Sequence, residues 1–323
     1  MRRLLIAAVV PALLLADGGM VVPEIYQVSE YGQVAIISHF EGQEQLTIAT
    51  GFRTLSPDVA WIIPAQALPT VDTAPSLAFT ALEYYCRPLY RATGTACGCY
   101  SEVPLGGGER YGDSSGVKEI SGGILGDYTY QVLQADAADT LVSYLRGHGY
   151  AVPLSAEAVL NHYLEKDWNY FVVARITDTS GFYYTTQNLG IRLTFASDSI
   201  VYPPYISRIG AAAQNVILYV LAEHRQMFRG GELKFSGPVD AGSFPGVPGL
   251  VAGPAHLTKL IKWFEPERLE DICLQQAPDD KSYRDIEYGG TYYVEPLLAM
   301  LTVFAAGFVV QSGRKRSRSR RGE

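Results

Sequence analysis

The 323-residue chain is short of the motifs that announce a known chemistry. No stretch fits G-x-G-x-x-G, a P-loop or H-E-x-x-H. Neither a phosphate-cradling turn nor a zinc-protease helix can be read from local spacing. Histidine is scarce: His39, His148, His162, His224 and His256 stand apart, with no ligand spacing between any two. No metal or cofactor ligand set therefore emerges from the residues. Cysteine is scarce too. Cys86, Cys97, Cys99 and Cys273 are too few to staple a chain of this length, so the fold must rest on a buried core. No N-x-Ser/Thr sequon occurs, so nothing points to a glycosylated surface. Long apolar runs are also few. A membrane helix needs about 20 apolar residues. Leu4 to Leu15 supplies twelve, and Pro296 to Val310 supplies fifteen.

The flanks of those two runs give them meaning. Met1-Arg2-Arg3 is a positive start, Leu4 to Leu15 the apolar stretch, and Ala16 a small residue suited to cleavage. Residues 1–16 read as a signal peptide, with an uncleaved signal-anchor as the alternative. Pro11 would interrupt a stable membrane helix. No cysteine follows, which argues against a lipid-anchored lipoprotein. At the other end Pro296 to Gly313 carries no charge. Arg314, Lys315, Arg316, Arg318, Arg320 and Arg321 follow at once. This is the pattern of a stop-transfer anchor, with residues 292–313 as a transmembrane helix and 314–323 as a basic cytoplasmic tail. Tyr292 and Tyr293 suit the headgroup region. A buried helix or a nucleic-acid arm are the competing readings of this end.

Charge agrees with that topology. The chain carries −7. Setting aside the +2 of the leader and the +5 of the tail leaves −14 for residues 17–313. Such a domain repels nucleic acid and anionic lipid. The expected partners are the membrane, through one C-terminal span, and an envelope protein or glycan.

Residues 17–290 read as an extracytoplasmic α+β domain with a largely antiparallel or mixed sheet. Gln33 to His39 and Gln43 to Phe52 alternate as strands, with Glu41-Gly42 as a hairpin turn. Asp58 to Ile63 reads as a buried strand stopping before Pro64. Thr73 is placed to cap a helix reaching about Tyr85. Residues 94–126 are glycine-rich, a point at which two lobes could divide. Asp127 to Leu133 is a strand. Asp136 is placed as the cap of the next helix, with Gly147 beyond its end. Ser155 is placed to cap a second helix, with Leu154 and Val159 as a hydrophobic staple. Trp168 to Ile176 returns as a strand, completing a strand–helix–helix–strand unit. Ile191, Leu193 and Phe195 alternate, and Val216 to Ala222 is a buried strand or helix. Leu257 to Phe264 is a strand with Lys259 and Lys262 expected on the surface, and Pro266 opens a short helix.

The chemistry-bearing groups are sparse. In an oxidising compartment Cys86, Cys97, Cys99 and Cys273 suggest two disulfides of open connectivity. Cys97-Gly98-Cys99 would alternatively suit thiol exchange or a soft metal. Gly112 to Gly116 places Ser114 and Ser115 in a loop that a serine hydrolase could use. His162 and Glu165 could share a helix face. Tyr183 and Tyr184 could contact sugar or protein.

Several segments stand in a telling order: Asp17-Gly18-Gly19, GQVAII from Gly32, EQLTIAT from Glu44, VAWIIPA from Val59 and CGC from Cys97. The longest runs from Gly126 to Pro153, followed by WNYFVVARI and by Phe195 to Ile209. Together they resemble a prokaryotic family, the domain of unknown function 2330. The resemblance implies export and, in many relatives, a C-terminal span. It carries over no catalytic residue. The expectation is a membrane-anchored binding or scaffolding protein that is not an enzyme. The alternatives are an envelope hydrolase or thiol-dependent enzyme, and an accessory subunit using Ala305, Ala306 and Gly307 as a helix interface.

Overall fold

The computed structural model describes residues 19–74, 76–92, 118–125, 128–176, 184–185, 190–210, 213–240 and 254–289. Two sheets carry the fold. The five-stranded sheet comprises β1 (Met20–Val21), β4 (Val59–Ala65), β7 (Lys118–Leu125), β8 (Tyr128–Gln134) and β9 (Tyr170–Ile176). Its order is β1-β4-β9-β8-β7, antiparallel throughout. The nine-stranded sheet comprises β2 (Val28–Phe40), β3 (Gln43–Thr54), β5 (Thr70–Ala74), β10 (Tyr184–Thr185), β11 (Gly190–Ala196), β13 (Gln214–Ala222), β15 (Glu232–Val239), β16 (Ala255–Phe264) and β19 (Tyr283–Arg284). Its order is β19-β15-β16-β13-β2-β3-β11-β5, with β10 also on β3. Within this sheet, among the described residues, only β13 and β2 pair in parallel. Short pairs join β12 (Val201–Tyr202) to β17 (Ile272–Cys273), and β14 (Gln226–Met227) to β18 (Gln275–Gln276). The helices are α1 (Ser76–Tyr85), α2 (Ala138–Gly147) and α3 (Ser155–Leu164).

Side-chain alternation makes four layers of these elements. In β4, Val59, Trp61 and Ile63 face one way, while Ala60 and Ile62 face the other. The first set meets Ala35, Ile37, Leu46, Ile48, Leu218 and Val220 of the larger sheet. The second set packs under α2 and α3 through Leu141, Leu145, Leu160 and Tyr163. On the far face of the larger sheet, Ile36, Tyr219 and Leu221 receive Ala78, Phe79 and Leu82 of α1. The order is helix pair, sheet, sheet, helix. Each buried Leu or Phe contributes about 1.5–3 kcal/mol of transfer free energy.

The expected α+β class, the β2–β3 hairpin and the strand–helix–helix–strand unit are all present. Glu41 and Gly42 both have positive φ, 51° and 71°, as a two-residue hairpin turn matched to strand twist requires. Val216 to Ala222 is a strand, between β2 and β16.

Local details depart from expectation for physical reasons. β4 runs through Pro64. The Ile62 N–H points to β1 and donates to Gly19 O at 2.8 Å. Two residues on, the missing N–H of Pro64 points the same way, past the end of that short strand. Thr73 lies in β5 opposite Ile191, so α1 begins only at Ser76. Gly122 and Gly123 lie in β7 and not in a loop; a Cβ on Gly122 would sit 2.9 Å from Tyr130 O. Asp136 makes no cap, since Ala137 holds the N-cap position of α2. The terminating glycine of α2 is Gly149, at φ 87°, and not Gly147. Its N–H bonds Arg146 O and that of Tyr150 bonds Leu145 O, a Schellman closure. Leu154 is 90% exposed and forms no staple. The turn after Pro266 is a single 3₁₀ segment, Pro266–Arg268.

A second compact unit comprises residues 89–101 and 286–323. Its described part is a parallel pair of β6 (Leu89–Ala92) with β20 (Ile286–Gly289). Among the described residues no helix is long and apolar enough to cross a membrane. The expected anchor from Pro296 to Val310 and the charges Arg314, Lys315 and Arg316 lie outside the described residues.

Candidate functional site

The outer face of the larger sheet holds a group of buried polar atoms that no described residue satisfies. In β3, Leu46 and Ile48 point into the sandwich, so Gln45 and Thr47 point outward. In β11, Ile191 and Leu193 point inward, so Arg192 points outward. Arg192 stands opposite Thr47 in the ladder, and Thr194 opposite Gln45. Thr47 is fully buried, and its Oγ1 has no hydrogen-bond partner. Gln45 Oε1 and the Nε and Nη2 of Arg192 are equally shielded and unpartnered. Each such group costs about 1–3 kcal/mol when left unmade. Asp72 of β5 faces Arg192 from the other side, but its Oδ1 accepts the Thr73 N–H at 2.7 Å. Burial holds Arg192 below the usual guanidinium range, against the pull of Asp72. An arginine nonetheless stays cationic in a protein. Nε and Nη2 lie along one edge of the guanidinium, and together they form a fork for two oxygens.

The same lateral row of the sheet continues through Ile36 and Tyr219 to Lys259. There the charges are closed. Lys259, expected on the surface, is 7% exposed because α1 lies over it. Its Nζ donates to both oxygens of Glu83 on α1, at 2.9 and 2.7 Å. The Tyr219 hydroxyl donates to Glu83 as well. Burial pushes the Glu83 carboxyl up, but the bonds from Lys259 and Tyr219 outweigh it and hold the group below its usual range. Beside it Cys86 is buried, which pushes its thiol up to about 12. A thiol so held is no nucleophile near neutrality.

Two more clusters are closed in the same way. Asp271 Oδ1 accepts from the Tyr163 hydroxyl at 3.0 Å. Its Oδ2 accepts from Lys166 Nζ at 2.7 Å and lies 2.9 Å from His162 Nε2. His162 therefore pairs with Asp271 and not with Glu165, and it stacks on Tyr205 at 3.8 Å. Asp58 Oδ1 accepts from Tyr150 at 2.8 Å, and its Oδ2 accepts from Arg175 at 2.5 Å. Burial pushes both tyrosine hydroxyls up. These clusters join segments far apart in sequence, so their charges serve the fold.

Two groups invite a catalytic reading and fail it on geometry. Ser236 Oγ lies 2.7 Å from His256 Nε2, but Ser236 is 1% exposed and also bonds Lys281 O. A substrate carbonyl cannot reach it. Glu44 lies inside the sandwich with both oxygens unpartnered, and burial pushes it up to about 8. The backbone N–H of Val201 offsets part of that, without completing a well-formed bond. A carboxyl this deep between two sheets meets no solvent.

Of the expected site residues, Cys86 and Cys273 carry free thiols. Cys97, Cys99, Ser114, Ser115 and Tyr183 lie outside the described residues. Tyr184 pairs with Phe52 in the ladder of β10 and β3. Among the described residues no group of three or more His, Cys, Asp or Glu could hold a metal. Arg192 and Thr47 escape a sequence reading because they occupy alternating polar positions like those of any exposed strand, and Glu44 because a carboxylate next to a hairpin turn reads as solvated although it falls on the inward face. Burial distinguishes them, and burial depends on what covers the sheet.

No curated protein matches the chain. A solved structure, the crystal structure of baculovirus P35, is similar at 8% identity and a TM-score of 0.32, covering 80% of this chain and 97% of that one. A likeness at that level carries no argument about fold or function. The family model described as "uncharacterized protein conserved in bacteria" (DUF2330) matches residues 11–271, and the chain belongs to that family.

Proposed function

We propose that the protein is exported, held in the membrane by residues 292–313, and binds or scaffolds a partner with the domain outside the cytoplasm. The flanking charges and the acidic domain before the basic tail support this orientation. The observation that carries the binding reading is the contrast between polar clusters. The carboxylates Glu83, Asp58 and Asp271 have both oxygens occupied by partners within the fold. The Gln45–Thr47–Arg192 group instead buries an amide acceptor, a hydroxyl and two guanidinium N–H groups that have no partner among the described residues.

Crosslinking of the intact protein in its native membrane tests the binding reading. The parent should capture a defined component, and Arg192→Gln should capture much less. Equal capture by both would remove the site from the reading. Reporters fused after Glu323 and near Gly290 test the orientation separately. Activity of the first outside the cytoplasm would overturn it. The alternative, an envelope hydrolase or thiol-dependent enzyme, rests on Ser114, Ser115, Cys97 and Cys99 of the glycine-rich segment. A turnover by the purified protein that Ser114→Ala with Ser115→Ala, or Cys97→Ala with Cys99→Ala, abolishes would establish that alternative.

A further inference from the structure

We propose that Trp263 and Asn215, on an open part of the outer face of the larger sheet, bind a ring of a neutral sugar chain. This rests on the binding reading above and names a partner for it, at a place distinct from the buried Arg192 group. Alternation sets the direction of both side chains. In β16, Leu260 and Phe264 point into the sandwich, so Trp263 points outward. In β13, Val216 and Leu218 point inward, so Asn215 points outward. The two residues are partners in the ladder. Directly opposed residues of an antiparallel pair have Cα atoms about 4.5–5.5 Å apart, so indole and amide are neighbours on one face.

Solvent reaches this part of the face. Trp263 is 59% exposed, and Asn215 is half-buried. Gly32 of β2 lies beside Asn215, and a Cβ there would meet only Asn215 O, at 3.5 Å, so the space above it is open. Helix α1 packs on Tyr219 and Leu221. Ile217 and Ile261, paired and half-buried, make an apolar border on that side. The Trp263 N–H donates to Glu265 Oε1 at 3.4 Å, a contact with the edge of the indole and not its π-face. The π-face is negative and attracts C–H groups that carry partial positive charge, as on the apolar side of a sugar ring. Hydroxyls around such a ring both donate and accept. The Asn215 amide also does both, and it has no hydrogen-bond partner among the described residues. Charge narrows the choice. Glu265 touches the indole, Glu232 stands opposite Ile261, and the domain is itself acidic, so an acidic sugar is repelled.

Titration of the purified full-length protein tests this, with maltopentaose and chitotetraose as neutral oligosaccharides and tetragalacturonate as an acidic one. Trp61 and Trp168 are buried, so acrylamide quenching of tryptophan fluorescence reports on Trp263. At least one neutral oligosaccharide should protect against quenching, with a Kd on the order of 1 mM, as one ring face and one amide allow. Tetragalacturonate should bind at least about tenfold more weakly. Calorimetric titration reads the variants, because Trp263→Ala removes the fluorophore. Trp263→Ala should abolish binding. Trp263→Phe keeps a smaller ring and should weaken it by about threefold to tenfold. Asn215→Ala should weaken it by about tenfold. Quenching unchanged by both neutral oligosaccharides would overturn the proposal. So would undiminished binding by Trp263→Ala, and tighter binding of tetragalacturonate would overturn the assignment to a neutral sugar. A component captured in the membrane without any oligosaccharide response would sink the sugar site and leave the binding reading standing.

Discussion

Replacing Glu44 by glutamine should change how stability depends on pH, and the size of the change can be worked out. Glu44 is the second residue of β3, directly after the hairpin turn. It shares the inward face with Leu46 and has no accessible surface. Burial raises its pKa from 4.5 to about 8, because a charged carboxylate between two apolar layers is poorly solvated. The folded state therefore binds this proton more tightly than the unfolded chain does. The contribution is fully present below pH 4.5, declines as pH rises to about 8, and is flat above that. Each pKa unit is worth about 1.4 kcal/mol, so the loss is on the order of 3 kcal/mol by pH 7 and 5 by pH 9. Glu44→Gln keeps the shape and removes the titration. Its amide also lacks partners and shifts stability by some constant amount, so the informative quantity is the difference between variant and parent. That difference should move in favour of the variant by on the order of 5 kcal/mol between pH 4 and pH 9. Urea unfolding of both proteins at pH 4, 7 and 9 measures it, provided the slope with denaturant stays the same. Parallel stability curves for the two proteins across that range would refute the reasoning.

Glu83→Gln should destabilise by about 3 kcal/mol, because it leaves Lys259 buried without its counter-charge, whereas Lys259→Met should cost under about 1 kcal/mol, since Glu83 is 57% exposed and water can solvate it. Chemical denaturation of the two variants checks the asymmetry. Gly149→Ala should cost about 1 kcal/mol at its positive φ, while Gly147→Ala, inside α2 with open space at Cβ, should stabilise by about as much. Opposite shifts in melting midpoint are the expected result. Asp271→Ala should cost about 3 kcal/mol by releasing Tyr163, Lys166 and His162 together, and should speed hydrogen exchange in α3 before other elements. Cys86 should resist alkylation at pH 8 in the native protein while exposed Cys273 reacts, with peptide mapping to separate them from the other cysteines.

The strands were legible wherever one face stays apolar throughout. Ile191, Leu193 and Phe195, or Leu46 and Ile48, give a period of two that survives any neighbour. The two-residue turn at Glu41-Gly42 was legible because its backbone demands favour glycine. Helix ends are less legible. Gly147 and Gly149 are equally plausible stops by composition, and only the bonds from Gly149 and Tyr150 back into α2 decide between them. Thr73 looked like a cap because nothing local reveals that β11 has an open edge for it to join.

The polar sites were illegible for one shared reason. A lysine or arginine at an outward strand position is ordinarily solvated, and the sequence of β16 or β11 gives no sign that another layer covers it. Lys259 is buried because α1 crosses the outer face, a fact set by the whole sandwich and by no residue near position 259. Evolution of such a face has two stable outcomes. One supplies an internal partner, as α1 supplies Glu83 to Lys259 and as Asp58 meets Arg175. The other leaves polar atoms covered and unpartnered among the described residues. Arg192 lies in the same lateral row as Lys259, separated from it by Thr47, Ile36 and Tyr219, yet receives no carboxylate from the fold at its Nε and Nη2. The chain thus shows, on one row of one sheet, what a completed charge pair looks like. That internal comparison shows that what covers the face, and not the residue type at the strand position, decides whether a buried cation is satisfied.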